Sequence, residues 1–187
     1  MSTQTPLLED PAIGWRRLSN THPIAMAVLA GFVGTHIATV FGFWFHGVFG
    51  LPDLDWPRFN GYLLFRPTFG SDFSVLTEVS DTTRLVLGWL VHAFTGIVFT
   101  ITYVAVVHPR IPWPNTMAGN AAKALVWGGI LATLSALWWS PSLFPEFDLG
   151  FFTWNLDGFA GVVAIYLWHV IYALGVSLVY NPLPRAS

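Results

Sequence analysis

The sequence predicts an all-α membrane protein of four transmembrane helices arranged as two tandem helical hairpins, and three observations carry that prediction. Of the 187 residues, 54% are hydrophobic and only 10% charged, whereas about 25% are charged in an ordinary soluble domain. Four apolar stretches approach or exceed the roughly 20 residues needed to cross a bilayer core of about 30 Å. Finally, stripes of small residues recur at fixed offsets. In the first stretch Ala30, Gly34, Ala38 and Gly42 repeat every four residues, and Ala124, Gly128, Ala132 and Ala136 do the same in the third at an offset of 94. In the second and fourth, His92, Gly96, Thr100 and Tyr103 correspond to His169, Ala173, Ser177 and Tyr180 at an offset of 77. Each copy holds an even number of spans, so the copies share one orientation and a pseudo-twofold axis along the membrane normal. The small stripes are the surfaces by which membrane helices approach one another.

Taken in order, residues 1–23 read as a polar N-terminal segment carrying Glu9, Asp10, Arg16 and Arg17, a tail or short surface helix with Trp15 at interfacial depth and no removable signal peptide. Residues 24–49 form the first span, closed by Gly50 and Pro52. The loop 51–83 mixes charges such as Asp53, Asp55, Arg58, Arg66, Asp72 and Glu78 with Trp56, Phe59, Tyr62, Phe65, Phe69 and Phe73. So many aromatics predict a loop packed on the bundle end or at the lipid interface. Asp81 is read as the N-cap of a second span over 85–107. The third span is expected over 124–139, followed by a turn with Glu146 and Asp148. The fourth is expected over 158–180, with Asn155 or Asp157 as its cap, and 181–187 form a short tail. Arg16, Arg17, Arg110, Lys123 and Arg185 flank the spans on the side of the termini, against Arg58, Arg66 and Arg84 on the other. The excess predicts that both termini are cytoplasmic, in a prokaryotic inner membrane.

The AGFVGTHIATV opening, the GLPDLD turn, the span LGWLVHAFTGIVFTITYVAVVHP and the terminal HVIYALGVSLVYNP carry a resemblance that extends from Ala25 to Pro182. The chain resembles a family of small four-helix bacterial and archaeal integral membrane proteins to which no activity is assigned. The resemblance implies the fold and leaves function open.

Few residues can carry chemistry. His92 is the one titratable imidazole in the otherwise uncharged run Leu85 to Val107, on the stripe Gly88, His92, Gly96, Thr100. An ionisable group inside a span is a functional-site candidate by default. The pseudo-twofold sets His92 and His169 facing one another, which suits a shared haem b, or a bacteriochlorophyll-type pigment with carotenoid, because neutral imidazoles at matched depth are good axial ligands. The alternative is that both rings hydrogen-bond across helices, to Thr100, Ser177 or a backbone carbonyl, and only hold the bundle together. His36 lies opposite the small stripe and is expected to meet a partner protein, the long loop or a pigment. His46 with Asp53 and Asp55 reads as solvated, and no metal site is expected.

Several classes are excluded by absence. A net charge of -2 gives no basic surface for nucleic acid, and the lack of cysteine removes disulfides and thiolate sites. There is no glycine-rich phosphate loop, no pair of intramembrane carboxylates and no H-E-x-x-H helix. A small transporter would need a polar path that the spans lack. The sequence therefore points to an accessory or structural subunit of a larger respiratory or photosynthetic membrane complex, without catalysis of its own, contacting lipids and other membrane subunits. The alternative is a haem- or pigment-binding subunit using His92 and His169.

Overall fold

A computed structural model describes residues 11–65, 80–145 and 148–184. Glu9, Asp10, Arg66, Phe69, Asp72, Phe73, Glu78, Glu146 and Arg185 lie outside the described residues. Helices α1 (Pro11–Thr21), α2 (Pro23–Phe49), α3 (Trp56–Phe65), α4 (Asp81–Thr102), α5 (Met117–Leu134), α6 (Ser140–Leu143) and α7 (Trp154–Val179) follow in order, with no strand among the described residues. Four helical segments are long and apolar enough to cross a membrane: Pro23–Phe49, Asp81–Arg110, Met117–Leu143 and Phe151–Val179. The chain is an all-α integral membrane protein.

Local chemistry sets the helix ends. Pro23 occupies the first turn of α2, where its missing N–H costs nothing. Gly50 closes that helix in the left-handed region (φ 66°) and donates its N–H to His46 O at 3.0 Å. The N-cap of α4 is Ser80, whose Oγ accepts from the Thr83 N–H at 3.1 Å, so Asp81 sits one residue inside, in the first turn, where its charge favours the helix dipole. Thr116 caps α5 in the same way, accepting from Gly119 N–H at 3.0 Å, and this starts the third span seven residues before Ala124. Two spans pass through a π turn, Tyr103–Val107 after α4 and Ser135–Trp139 after α5. In α7 the backbone breaks at Asp157 and Gly158 (φ 53°, ψ −132°). Regular helix resumes beyond them, and no side-chain cap bond is made by Thr153, which holds the N-cap position.

Small residues position the core. Ala27, Ala30, Ala132, Ala136 and Ala173 are wholly buried, and Ala38 and Ala124 nearly so. Helix α2 packs against both α4 and α7, and α7 packs against α5. Within each hairpin the contacts correspond: Gly96 of α4 lies on Thr35 and Gly31 of α2, and Ala173 of α7 lies on Gly128 of α5. Gly88 departs from its expected role. A Cβ there would stand 1.8 Å from Pro57 O, so Gly88 faces α3 and not another span. The aromatic loop thus contributes a helix laid along the start of α4, where a Cβ on Gly61 would stand 2.3 Å from Arg84 O. Asp55 begins this helix by accepting from the Arg58 N–H at 3.2 Å.

Residues 15–16 and 179–182 meet at the opposite end of the bundle. Trp15 Nε1 donates to Val179 O at 2.9 Å, and the Arg16 guanidinium donates to the carbonyls of Asn115, Asn181 and Pro182. Helix α1 is therefore clamped to residues 179–182, and Arg16 uses its fixed fork on three main-chain acceptors.

Candidate functional site

The bundle encloses a cavity of about 90 Å³ bordered by all four spans and by α3. His92 and His169 both line it, with Thr35, Asn60, Ser135 and Tyr172 among the polar neighbours and Trp56, Phe99, Trp139 and Trp168 among the aromatic ones. Among the described residues, no Asp, Glu, Lys or Arg is part of the wall. The cavity exists because α4 and α5 do not pack on one another as α2 and α7 do. Across that gap Phe99 meets Trp139 edge to face, with ring centroids 5.0 Å apart. The π turn Ser135–Trp139 carries Trp139 into this position, and Ser135 and Ser140 hydroxyls bond at 3.2 Å across the widened turn. Leu134 both lines the cavity and is 44% exposed, so the mouth opens on the lipid side between α4 and α5.

The two histidines sit at matched positions but are engaged differently. Thr39 Oγ1 donates to Thr35 O at 2.9 Å, which commits its only proton. It therefore accepts from His92 Nε2–H at 3.0 Å. His92 Nδ1 then carries the lone pair, and the Asn60 amide approaches it at 3.5 Å. Both nitrogens of His92 thus have neighbours, on α2 and α3. His169 donates Nδ1–H to Ile165 O in its own helix at 2.8 Å, and its Nε2 has no hydrogen-bond partner among the described residues. The expected cross-helix partners are taken elsewhere: Thr100 and Tyr172 bond each other at 2.6 Å and share Gly96 O, and Ser177 bonds Leu174 O.

A haem held by both rings would require a free nitrogen on each and room for a macrocycle. His92 Nε2 is bonded to Thr39, its Nδ1 faces the Asn60 amide at 3.5 Å, and about 90 Å³ falls well below the roughly 300 Å³ at which pockets for drug-sized molecules begin. The shared tetrapyrrole does not fit these side chains. His36 lies outside the cavity, half-buried in the groove between α2 and α4. It donates Nδ1–H to Phe32 O at 2.7 Å and packs between Phe32 (4.2 Å) and Trp89 (5.4 Å, stacked). His46 donates Nδ1–H to Leu51 O at 2.7 Å and helps close the end of α2.

Sequence reasoning missed Asn60, Tyr172 and the π turn. Asn60 had a signal, since Asp55 followed by Pro57 marks a helix start and the only amide of that helix falls on its fifth residue. The π turn had none, because no residue type encodes it. A second polar cluster, at the end of the bundle where α1 meets residues 179–182, joins buried His108 and Asn120 (3.2 Å) to Asn181 (2.7 Å). It is fully engaged in holding the tail. No family model, curated protein or solved structure matches the chain.

Proposed function

We propose that this protein is a non-catalytic accessory subunit of a larger membrane complex in a prokaryotic cytoplasmic membrane, with both termini cytoplasmic. One observation carries the reading: His36 Nε2 has no hydrogen-bond partner among the described residues, although the ring stands on the outer side of the bundle at mid-membrane depth. His36 is thirteen residues from each end of α2, about 20 Å along the helix axis. Water is absent at that depth, and an unpaired polar group in hydrocarbon is costly. A neighbouring chain that donates an N–H or O–H removes the cost. The cytoplasmic orientation is supported by five cationic side chains flanking the spans at the end of the termini against three at the other.

A second reading has support from the same ring. An imidazole that donates Nδ1–H to a backbone carbonyl and offers Nε2 outward has the posture of a metal ligand, so a peripheral pigment shared with a neighbour is the alternative. The test is purification in mild detergent with a visible spectrum and subunit analysis, repeated for His36→Ala. A colourless preparation that loses a co-purifying chain on substitution supports the subunit reading. An absorption band lost on substitution supports the pigment. A colourless protein with no partner in either form overturns both. Reporters fused after Ser187 and inserted at Asp53 should lie on opposite sides of the membrane, the tail inside.

A further inference from the structure

We propose that the cavity between α4 and α5 receives the head of an uncharged lipid alcohol, its hydroxyl donating to His169 Nε2 and its chain leaving past Phe99 and Trp139 into the membrane. This site is separate from His36 and does not depend on the subunit reading. Four features of the wall select the ligand. The volume of about 90 Å³ is well below the roughly 300 Å³ of pockets for drug-sized molecules, enough for a hydroxymethyl end with its first methylenes and too little for a haem. Among the described residues the wall carries no charged side chain, and a charged head would be left uncompensated in a low dielectric. His169 donates Nδ1–H to Ile165 O, so the neutral ring presents a lone pair on Nε2, pointing away from its own helix. That lone pair needs a donor.

A ketone or ester carbonyl offers none, and a carboxylate offers none and is charged. A hydroxyl donates to His169 and still accepts, for which the Asn60 amide has a hydrogen to spare beyond its long contact to His92. The mouth supplies the rest. Exposed Leu134 and the edge-to-face pair Phe99–Trp139 open onto hydrocarbon, where an alkyl or prenyl chain is at home and a water-soluble ligand is not. Aromatic edges can part by side-chain rotation, so access is lateral, from the bilayer.

The proposal is tested with protein in lipid nanodiscs and a photoreactive diazirine analogue of 1-hexadecanol, with labelled peptides mapped by mass spectrometry. Labelling is expected on the segments around Phe99 and Leu134, competed by excess 1-hexadecanol and not by hexadecane or palmitate. His169→Phe should reduce it roughly tenfold, the upper end for loss of one hydrogen bond. Leu134→Trp, a surface substitution that leaves the core untouched, should block the mouth and give a similar loss even if the His169 variant folds poorly. Labelling shared equally with the alkane analogue would reveal a plain lipid groove and overturn the proposal. So would absence of labelling, which means a cavity holding water only, and so would labelling that survives both substitutions.

Discussion

The α2–α7 interface and the α4–α5 gap are counterparts in the repeat, yet one is packed backbone to backbone and the other is open. In the first, a Cβ on Gly34 would lie 2.9 Å from Tyr172 O, and one on Gly175 would lie 2.8 Å from Gly34 Cα. The repeat maps Gly34 onto Gly128, which is also glycine, but the offset of 77 maps Gly175 onto Val98 and Val176 onto Phe99. Glycine on both helices allows contact, whereas valine and phenylalanine on α4 hold α5 away. Gly128 turns instead to α7, where His169 O is 2.7 Å from its would-be Cβ. Two side-chain changes at matched positions therefore convert a packed interface into a cavity mouth. The same comparison explains why the matched histidines differ: His92 reaches Thr39 within its own hairpin, and His169 is left facing the gap.

The largest expected effect comes from Gly34→Leu. Forcing a side chain into that contact costs about 1–3 kcal/mol by overpacking and should lower the thermal midpoint in detergent. Val98→Leu, at a position 40% exposed, should change it little. Equal losses would mean that α4 and α5 touch after all. Next in size is a test of cause. The double substitution Val98→Gly, Phe99→Val gives α4 the surface of α7, and it should draw α4 toward the ~8–10 Å axis separation of packed helices. The cysteine-free chain permits spin labels at Phe94→Cys and Ile130→Cys to read this as a shortened distance. An unchanged distance would show that bulk at these positions is not what keeps the helices apart.

Smaller effects probe the hairpins themselves. Thr39 bonds His92 of α4 and its repeat mate Thr133 bonds Tyr166 of α7 at 2.9 Å, so Thr39→Val and Thr133→Val should each cost roughly 0.6 kcal/mol in an unfolding titration. A clear inequality would mean that the repeat is a likeness of sequence without a likeness of energy. The least effect belongs to Trp127→Phe. Its buried Nε1 has no hydrogen-bond partner among the described residues, so removing that donor should leave the unfolding midpoint unchanged or slightly raised. A marked drop would expose a partner for that nitrogen.

By itself the sequence determined the class, the number of spans and the small-residue faces, because hydrocarbon admits only backbone that satisfies itself and close helix approach requires residues without bulk. Ala30, Ala38, Ala132 and Ala136 were legible as interior for that reason. It also placed both histidines at one level. What each ring bonds to was decided only in three dimensions. Helix α3 folds back along Gly88 and brings Asn60 to His92, and Thr39 rather than Thr100 takes the second nitrogen. A π turn, which no residue pattern announces, carries Trp139 into the gap. Periodicity fixes which face of a helix a residue occupies, but a hydrogen-bond partner and a cavity depend on how closely neighbouring helices approach. That distance is set by pairs such as Gly34 with Gly175, far apart in the chain, and becomes visible only when they are packed together.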